Sequence, residues 1–209
     1  MSGLPRLYAI VDACLAEESG WTPCDLARAY LDGGARFLQL RAVGVSSGTQ
    51  FDWCQEIVRL AHSVGAQVIV NDRCDLAVMS GAAGVHLGQS DLPIERARSI
   101  LGPTSCIGLS THNVDQAKAA AGEELSYVAI GPVYETSTKE VGYTAVGLEA
   151  VGRISEVTGP RPVVAIGGIT LASVPALIMA GASAVAVASD LLAGGDPERR
   201  VRDYITELS

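Results

Sequence analysis

Short apolar runs alternate along the chain with longer segments whose apolar residues recur at helical spacing. In the second unit, residues 37–40 form an apolar run, and Trp53, Ile57 and Leu60 then mark one face of a helix over 49–64 that ends at Gly65. The same pattern predicts strands at 7–11, 37–40, 67–70, 85–87, 106–109, 127–130, 163–166 and 184–187. It predicts helices at 23–33, 49–64, 74–80, 93–101, 113–121, 147–157, 171–180 and 197–208.

Eight consecutive strand and helix units predict an α/β protein, a single (β/α)8 TIM barrel that occupies residues 1–209 as one domain. The alternative fold is an open, doubly wound sheet, which would carry a G-x-G-x-x-G turn at the start of its first helix. The turn after Val11 has no such motif, and no linker or low-complexity segment divides the chain. We therefore expect the functional residues just past the carboxyl ends of the strands, on one face of a barrel.

The composition favours an enzyme acting on small molecules. The chain has 209 residues, 48% of them apolar, and a formal net charge of −8. This charge repels polyanions, so we expect neither nucleic acid nor a membrane as a partner. No apolar run approaches the roughly 18 residues of a membrane span, and the amino terminus shows no secretion signal. Five cysteines without a C-x-x-C pair indicate reduced thiols, mostly in the core, and a cytoplasmic location. A monomer and a homodimer are both compatible with the sequence.

Polar and charged residues follow strands 2, 3 and 4. Strand 2 carries Gln39 and Arg41, strand 3 is followed by Asn71 and Asp72, and the turn after strand 4 contains Asp91. Each acid alone is as typical of a turn or a helix cap as of a site. On neighbouring turns of one face, however, Asp72 and Asp91 could hold magnesium (Mg²⁺) together with water and substrate phosphate oxygens.

Two further groups of residues are suited to anions. After strand 6 comes a loop with three hydroxyl groups and an ammonium group, at Thr136, Ser137, Thr138 and Lys139. Such a loop alone is more often solvated than bound to phosphate. The paired glycines after strand 7, which include Gly168, and the segment Ala188 and Ser189 after strand 8 lie where TIM barrels often bind phosphate on main-chain N–H groups. The joint location favours the phosphate interpretation.

The histidines permit two interpretations. Ser110, Thr111 and His112 follow strand 5, where His112 could move a proton or bridge to the next turn, and bridging is the more common role. His86 lies inside an apolar run, so we interpret it as a structural side chain and not as a metal ligand. The residues alone thus predict transfer of a diphosphate-activated fragment, with one acidic metal pair and two anion sites.

The order and spacing of six motifs over nearly the whole chain resemble the thiamine phosphate synthase family. The motifs are Gln39-Leu40-Arg41, Asn71-Asp72-Arg73, the segment 84–91 (GVHLGQSD), the segment 107–112 (IGLSTH), Gly131-Pro132-Val133-Tyr134 with Thr136-Ser137-Thr138-Lys139, and the segment 165–169 (AIGGI).

This resemblance implies a reaction in which hydroxymethylpyrimidine diphosphate and a thiazole phosphate give thiamine phosphate and pyrophosphate. It also implies a dissociative mechanism: the diphosphate leaves first, and the thiazole nitrogen captures a pyrimidine carbocation. Such a step needs charge stabilisation on the leaving group and no protein nucleophile.

The resemblance assigns roles to individual residues. Asp72 and Asp91 would coordinate magnesium on the leaving diphosphate. The diphosphate would also contact Arg41, Asn71 and Lys139; the pyrimidine would contact Gln39 and Ser110; and the thiazole phosphate would contact Thr136, Thr138, Gly168, Ala188 and Ser189, with Ser137 in the same loop. Among these, we expect Arg41, Lys139 and Ser110 to act in catalysis.

One departure from the family pattern concerns a cation. Members of the family usually carry Lys two residues beyond the Arg of the Gln-x-Arg motif, and this chain has Val43 there. The related thiazole tautomerase, which would use His112 for proton transfer, needs no such Lys and is one alternative. A non-catalytic barrel that binds thiamine precursors is another. The acids at 72 and 91 and the Thr138-Lys139 pair favour the synthase.

Overall fold

The computed structural model describes residues 3–136 and 144–209, and these form a closed barrel of parallel strands in the order β1 to β8. The barrel closes where β1 pairs with β8, with Leu7 opposite Val185. The strands are β1 (Leu7–Asp12), β2 (Phe37–Arg41), β3 (Gln67–Asn71), β4 (Gly84–Leu87), β5 (Cys106–Thr111), β6 (Tyr127–Ile130), β7 (Val163–Ile166) and β8 (Ala184–Val187). The predicted (β/α)8 barrel is confirmed.

Helices connect the strands around the outside of the barrel. They are α1 (Ala13–Glu18), α2 (Pro23–Asp32), α3 (Ser47–Ser63), α4 (Cys74–Ser80), α5 (Ile94–Leu101), α6 (Val114–Ala120), α7 (Gly147–Thr158), α8 (Val174–Met179) and α9 (Pro197–Glu207). The start of α2 shows how the sequence sets an end: the Thr22 hydroxyl accepts a hydrogen bond from the Asp25 N–H at 3.1 Å, and Pro23 occupies the first helical position.

Three local features differ from the sequence prediction. Helix α1 was not predicted, because six residues are too short to show a helical period. The helix predicted over 171–180 is divided into a 3₁₀ turn, Leu171–Ser173, and α8. A second 3₁₀ segment, Ser189–Gly195, follows β8. Both 3₁₀ segments lie on the anion-binding face predicted above.

The buried residues form one layer inside the barrel and one between strands and helices. Alternate residues of each strand point to opposite faces, so Tyr8 and Ile10 lie in the interior cluster while Ala9 and Val11 pack against the helices. Inside the barrel, the ring centroids of Tyr8 and Phe37 are 4.4 Å apart, and those of Tyr8 and Tyr127 are 5.7 Å apart. These rings fill the barrel beneath its carboxyl-end mouth.

All five cysteines carry free thiols, but they are less uniformly buried than predicted. Cys54 and Cys74 are buried, Cys24 and Cys106 are half-buried, and Cys14 is exposed because it lies in the short α1 on the surface. Burial raises the pKa of the Cys54 thiol to about 11, so this thiol stays protonated near neutral pH. Within residues 3–136 and 144–209, no helix has both the length and the apolar character that crossing a membrane requires.

Candidate functional site

One cavity opens at the carboxyl ends of the strands and encloses about 900 Å³, including the space of its open mouth. Predicted site residues from every side of the barrel line it, namely Gln39, Arg41, Asn71, Ser110, Thr136, Gly168, Ala188 and Ser189. Ile10, Ile166 and Ala186 supply an apolar floor and wall. The fold therefore gathers these eight residues, which are scattered over 151 positions of sequence (39 to 189), around one space.

The remaining predicted residues are placed differently. Ser137, Thr138 and Lys139 lie outside the described residues. Asp72 and Asp91 follow β3 and β4 at the same end of the barrel but are not among the residues that line the cavity. They lie on the turns that follow these two neighbouring strands.

Backbone contacts hold the two acids. The Asp72 N–H donates to the carbonyl oxygen of His86 at 2.9 Å, which joins the turn after β3 to β4. Asp72 has a φ of 62°, a left-handed conformation that Asp and Asn tolerate better than other side chains with a Cβ. Its Oδ2 accepts from Asn71 Nδ2 at 2.6 Å, and Asp91 Oδ2 accepts from the Gly88 N–H at 2.7 Å.

These two carboxylates suit one kind of metal site. No cluster of three or more His, Cys, Asp and Glu side chains that could hold a metal ion occurs in the part of the chain that the structure describes. Magnesium needs no such cluster, since it is commonly held by one or two carboxylates, waters and substrate phosphate oxygens. Asp72, which is exposed, and Asp91, which is half-buried, therefore fit a magnesium ion shared with a phosphorylated ligand.

Arg41 is held at the cavity wall by Asp12, a residue that the sequence prediction missed. The Arg41 guanidinium contacts Asp12 Oδ2, and the Asp12 side chain is 3% exposed. Asp12 ends β1 as Arg41 ends β2, so its position past an apolar strand was a signal that could have identified it. The pair places the Arg41 guanidinium beside the cavity, and the Asp12 carboxylate neutralises part of the charge of that guanidinium.

A chain of hydrogen bonds runs through the barrel interior between Gln39 and Ser110. Gln39 Nε2 donates to the Tyr8 hydroxyl at 2.6 Å, and the Tyr127 hydroxyl donates to the same Tyr8 oxygen at 2.9 Å. His86 then bonds the Tyr127 hydroxyl through Nδ1 at 2.9 Å and the Ser110 hydroxyl through Nε2 at 2.8 Å. Burial raises the pKa of Tyr8 and of Tyr127, so both hydroxyls stay protonated.

The two histidines at the cavity, His86 and His112, have different surroundings. His86 is buried among these hydroxyls, in agreement with its structural interpretation, and it also lines the cavity. His112 bridges to the next turn, as its Nδ1 lies 2.5 Å from the carbonyl oxygen of Gly131 and its main-chain N–H donates to Gln116. His112 lines the cavity as well, so bridging does not remove it from the site.

The turns after β7 and β8 approach other backbone closely. At Gly168, whose φ is 65°, an added Cβ would lie 2.4 Å from the carbonyl oxygen of Glu135, so only glycine fits there. Asp190 ties the two turns together, because its Oδ2 accepts from the Leu171 N–H at 3.2 Å and from Arg200 Nη2 at 2.7 Å. Gly168, Ala188 and Ser189 all line the cavity, at the place where TIM barrels often bind phosphate on main-chain N–H groups.

Comparisons with known proteins give one consistent result. A family model described as thiamine monophosphate synthase matches residues 7–191. A thiamine-phosphate synthase of Koribacter versatilis is 40% identical over 207 residues, covering 98% of this chain and 96% of the relative. One from Anaeromyxobacter dehalogenans is 40% identical over 195 residues, covering 93% and 84%. The solved thiamine phosphate pyrophosphorylase of Pyrococcus furiosus superposes with a TM-score of 0.87 at 28% identity, covering 97% of this chain and 95% of that one.

Proposed function

This chain belongs to the thiamine monophosphate synthase family, and from this premise we propose how its cavity binds and joins two substrates. It is a transferase of thiamine biosynthesis that joins hydroxymethylpyrimidine diphosphate to a thiazole phosphate, with thiamine phosphate and pyrophosphate as products. The observation that carries this function is the cavity at the carboxyl ends of the strands, whose two sides offer different groups to two phosphorylated substrates.

The pyrimidine diphosphate binds on the side formed by β2, β3 and β5. Gln39 and Ser110 offer an amide and a hydroxyl for the ring, and both line the cavity. Arg41 and Asn71 lie toward the mouth, where a guanidinium and an amide can donate to diphosphate oxygens. Arg41 and Ser110 are thus our candidates for catalytic residues, together with Lys139 from the loop outside the described residues.

The thiazole phosphate binds on the opposite side. Thr136, Gly168, Ala188 and Ser189 line that part of the cavity. Their main-chain N–H groups and the Thr136 hydroxyl would donate to the phosphate. By resemblance, Ser137 and Thr138 complete the phosphate site. The two substrates then face each other across the apolar floor, which excludes water from the bond that forms.

Magnesium would be held by Asp72 and Asp91 with oxygens of the diphosphate. When bound there, the ion would neutralise charge that develops on the leaving pyrophosphate. The chain's own contribution to this dissociative step is to orient the diphosphate through Arg41 and Asn71 and to keep the apolar wall of Ile10 and Ile166 around the pyrimidine.

The test is pyrophosphate release by the purified protein, with each precursor alone and with both, in the presence and absence of magnesium. We expect release that requires both precursors and the metal. Tautomerisation of the thiazole phosphate without release would assign the chain to the tautomerase reaction and make His112 its proton carrier. Tight binding without any turnover would identify a non-catalytic precursor-binding barrel.

Three further properties are part of this proposal. The exposed apolar side chains Val78 and Met79 on α4 and Ile100 on α5 support a homodimer, which sedimentation velocity tests directly. Five free thiols support a cytoplasmic location, because thiols persist in a reducing compartment. The net charge of −8 supports small phosphorylated molecules, and not nucleic acid, as partners.

A further inference from the structure

We propose that Tyr8, Tyr127 and His86 are positioning residues that make Gln39 and Ser110 act as one recognition unit for the pyrimidine ring. The proposal rests on the proposed function, because it concerns the pyrimidine side of that cavity. Gln39 and Ser110 lie on β2 and β5 and are 71 positions apart in sequence (39 to 110), with no direct hydrogen bond between them. The three intervening side chains supply the connection.

The connection is short and shielded from water. Its four hydrogen bonds measure 2.6, 2.9, 2.9 and 2.8 Å from Gln39 to Ser110. Tyr8 and Tyr127 are 1% and 0% exposed, and His86 is 6% exposed. A buried hydrogen bond is costly to break because the freed groups find no water, so each member restrains its neighbours.

The direction of the bonds determines what Ser110 offers to a ligand. With the Tyr127 hydroxyl hydrogen donated to Tyr8, the bond between Tyr127 and His86 is donated by Nδ1–H, which corresponds to the His86 tautomer protonated at Nδ1. In that neutral tautomer Nε2 is an acceptor, and the Ser110 hydroxyl donates to it. Ser110 therefore presents oxygen lone pairs to the cavity and accepts an N–H of the ligand.

Gln39 is restrained in a complementary way. One N–H of its amide is used by Tyr8, which fixes the rotation of the amide and leaves Oε1 and the second N–H for the cavity that it lines. An amide held in this way presents one acceptor beside one donor in a fixed plane. A flat nitrogen heterocycle with an amino group next to a ring nitrogen matches that pair, and Ser110 can accept the second amino hydrogen.

The barrel is shaped to hold Tyr127 in place. Gly108 of β5 pairs directly with Tyr127 of β6, and a Cβ at Gly108 would lie 2.0 Å from Tyr127 Cζ and 2.4 Å from its hydroxyl oxygen. No positive φ requires glycine at this position. The missing side chain makes room for the phenol ring, which also stacks on His86 with centroids 5.6 Å apart.

The experiment removes single hydroxyl oxygens from the series of hydrogen bonds that joins Gln39 to Ser110. Tyr127→Phe breaks the centre of this series, and Tyr8→Phe disconnects Gln39 from it, while both variants keep the rings that pack in the barrel. Tyr30→Phe is the matched control, because the Tyr30 hydroxyl is equally buried and makes no hydrogen bond within residues 3–136 and 144–209. The measurements are the Michaelis constants for both substrates, the dissociation constant for the pyrimidine diphosphate, and the melting temperature.

We expect Tyr127→Phe and Tyr8→Phe each to raise the Michaelis and dissociation constants for the pyrimidine diphosphate about tenfold, the equivalent of one hydrogen bond. The Michaelis constant for the thiazole phosphate should stay within twofold in both variants, and Tyr30→Phe should change neither constant. Because both changes interrupt the same series of hydrogen bonds, the double variant should raise these two constants by less than the product of the two single effects.

Three results would overturn the proposal. The first is equal weakening of both substrates, which would mean general damage to the barrel. The second is unchanged pyrimidine binding in a folded Tyr8→Phe variant, which decides the matter even if Tyr127→Phe fails to fold. The third is a wild-type protein that neither turns over nor binds the pyrimidine diphosphate, which would overturn the proposed function as well. If the wild-type protein is active and the variants bind the pyrimidine diphosphate as well as it does, only the positioning role is refuted and the proposed function stands.

Discussion

The guanidinium of Arg41, at the end of β2, contacts the buried carboxylate of Asp12, at the end of β1. The register of the two strands places these residues directly opposite each other. The second carboxylate oxygen, Oδ1, accepts hydrogen bonds from the N–H groups of Cys14 and Leu15, each at 3.1 Å. Asp12 therefore holds a cation at the cavity wall and also begins α1.

This relationship predicts the effect of neutralising Asp12. We expect Asp12→Asn to lower the free energy of unfolding by about 3 kcal/mol, since a largely buried guanidinium loses its charged partner. Asp12→Ala should lower it by about 1 kcal/mol more, because the helix cap is lost too. Urea denaturation measures both, and the Michaelis constant for the diphosphate substrate should rise as Arg41 loses its position.

Glu149→Gln is the matched control for the ion pair. Glu149 pairs with Arg153 on the exposed surface of α7, where such a pair contributes less than about 1 kcal/mol. If Asp12→Asn and Glu149→Gln lower the free energy of unfolding equally, the Asp12–Arg41 pair stabilises the fold no more than an exposed ion pair does.

A second prediction concerns the metal. Asp72→Asn and Asp91→Asn should each reduce turnover by at least about 100-fold while changing stability little. Asparagine tolerates the left-handed backbone at 72, and the amide oxygen of an asparagine at 91 can still accept from the Gly88 N–H. Initial rates over a magnesium titration measure the effect, and higher magnesium should restore part of the activity.

Asp75→Asn tests whether neutralising any exposed carboxylate near this face would also reduce magnesium-dependent turnover. Asp75 lies on α4, pairs with Arg73 and is not among the residues that line the cavity. It should leave the magnesium dependence unchanged. Large unfolding on the change at 72 or 91 would instead identify a structural acid.

A third prediction concerns the position at which the family usually has a lysine. Val43 is 65% exposed, so Val43→Lys removes no buried contact. We expect activity to be preserved or raised, with a lower Michaelis constant for the diphosphate substrate, because a cation is added near the cavity mouth. Met179→Lys adds the same charge at an 88% exposed position on α8 and should have no effect. A sharp loss of turnover in a folded Val43→Lys variant would mean that the diphosphate binds differently here.

A fourth prediction concerns the phosphate turn. Gly168→Ala should raise the Michaelis constant for the thiazole phosphate and lower the melting temperature, because the added methyl group overlaps the backbone of Glu135. Gly65→Ala is the control: Gly65 has a similar φ of 69° but nothing within 4 Å of an added Cβ. It should cost about 1 kcal/mol of strain and leave both Michaelis constants unchanged. Similar kinetics in the two variants would refute the phosphate assignment at 168.

Local sequence patterns predict the barrel and the face on which its function lies. Strands such as Tyr127–Ile130 and Ala184–Val187 are continuous apolar runs because parallel barrel strands are buried on both faces, and that signal is local. From the polar residues and glycines at the strand ends, the sequence predicted that Gln39, Arg41, Ser110 and Gly168 share one mouth, and all four line the cavity because the topology brings every carboxyl end there. The order of the motifs identified the family.

The pairing of side chains inside that mouth, in contrast, depends on how the barrel closes. Tyr8 and Tyr127 are 119 positions apart, and their hydrogen bond exists because the barrel closes and points both residues inward. In the sequence, each is one polar group in an apolar strand, which predicts burial but names no partner. Asp12 and Arg41 likewise meet through strand register, and α1 forms on six residues because Asp12 caps it. Hydrophobic periodicity encodes elements and faces, whereas contacts across a closed sheet depend on register and closure, which no local pattern contains.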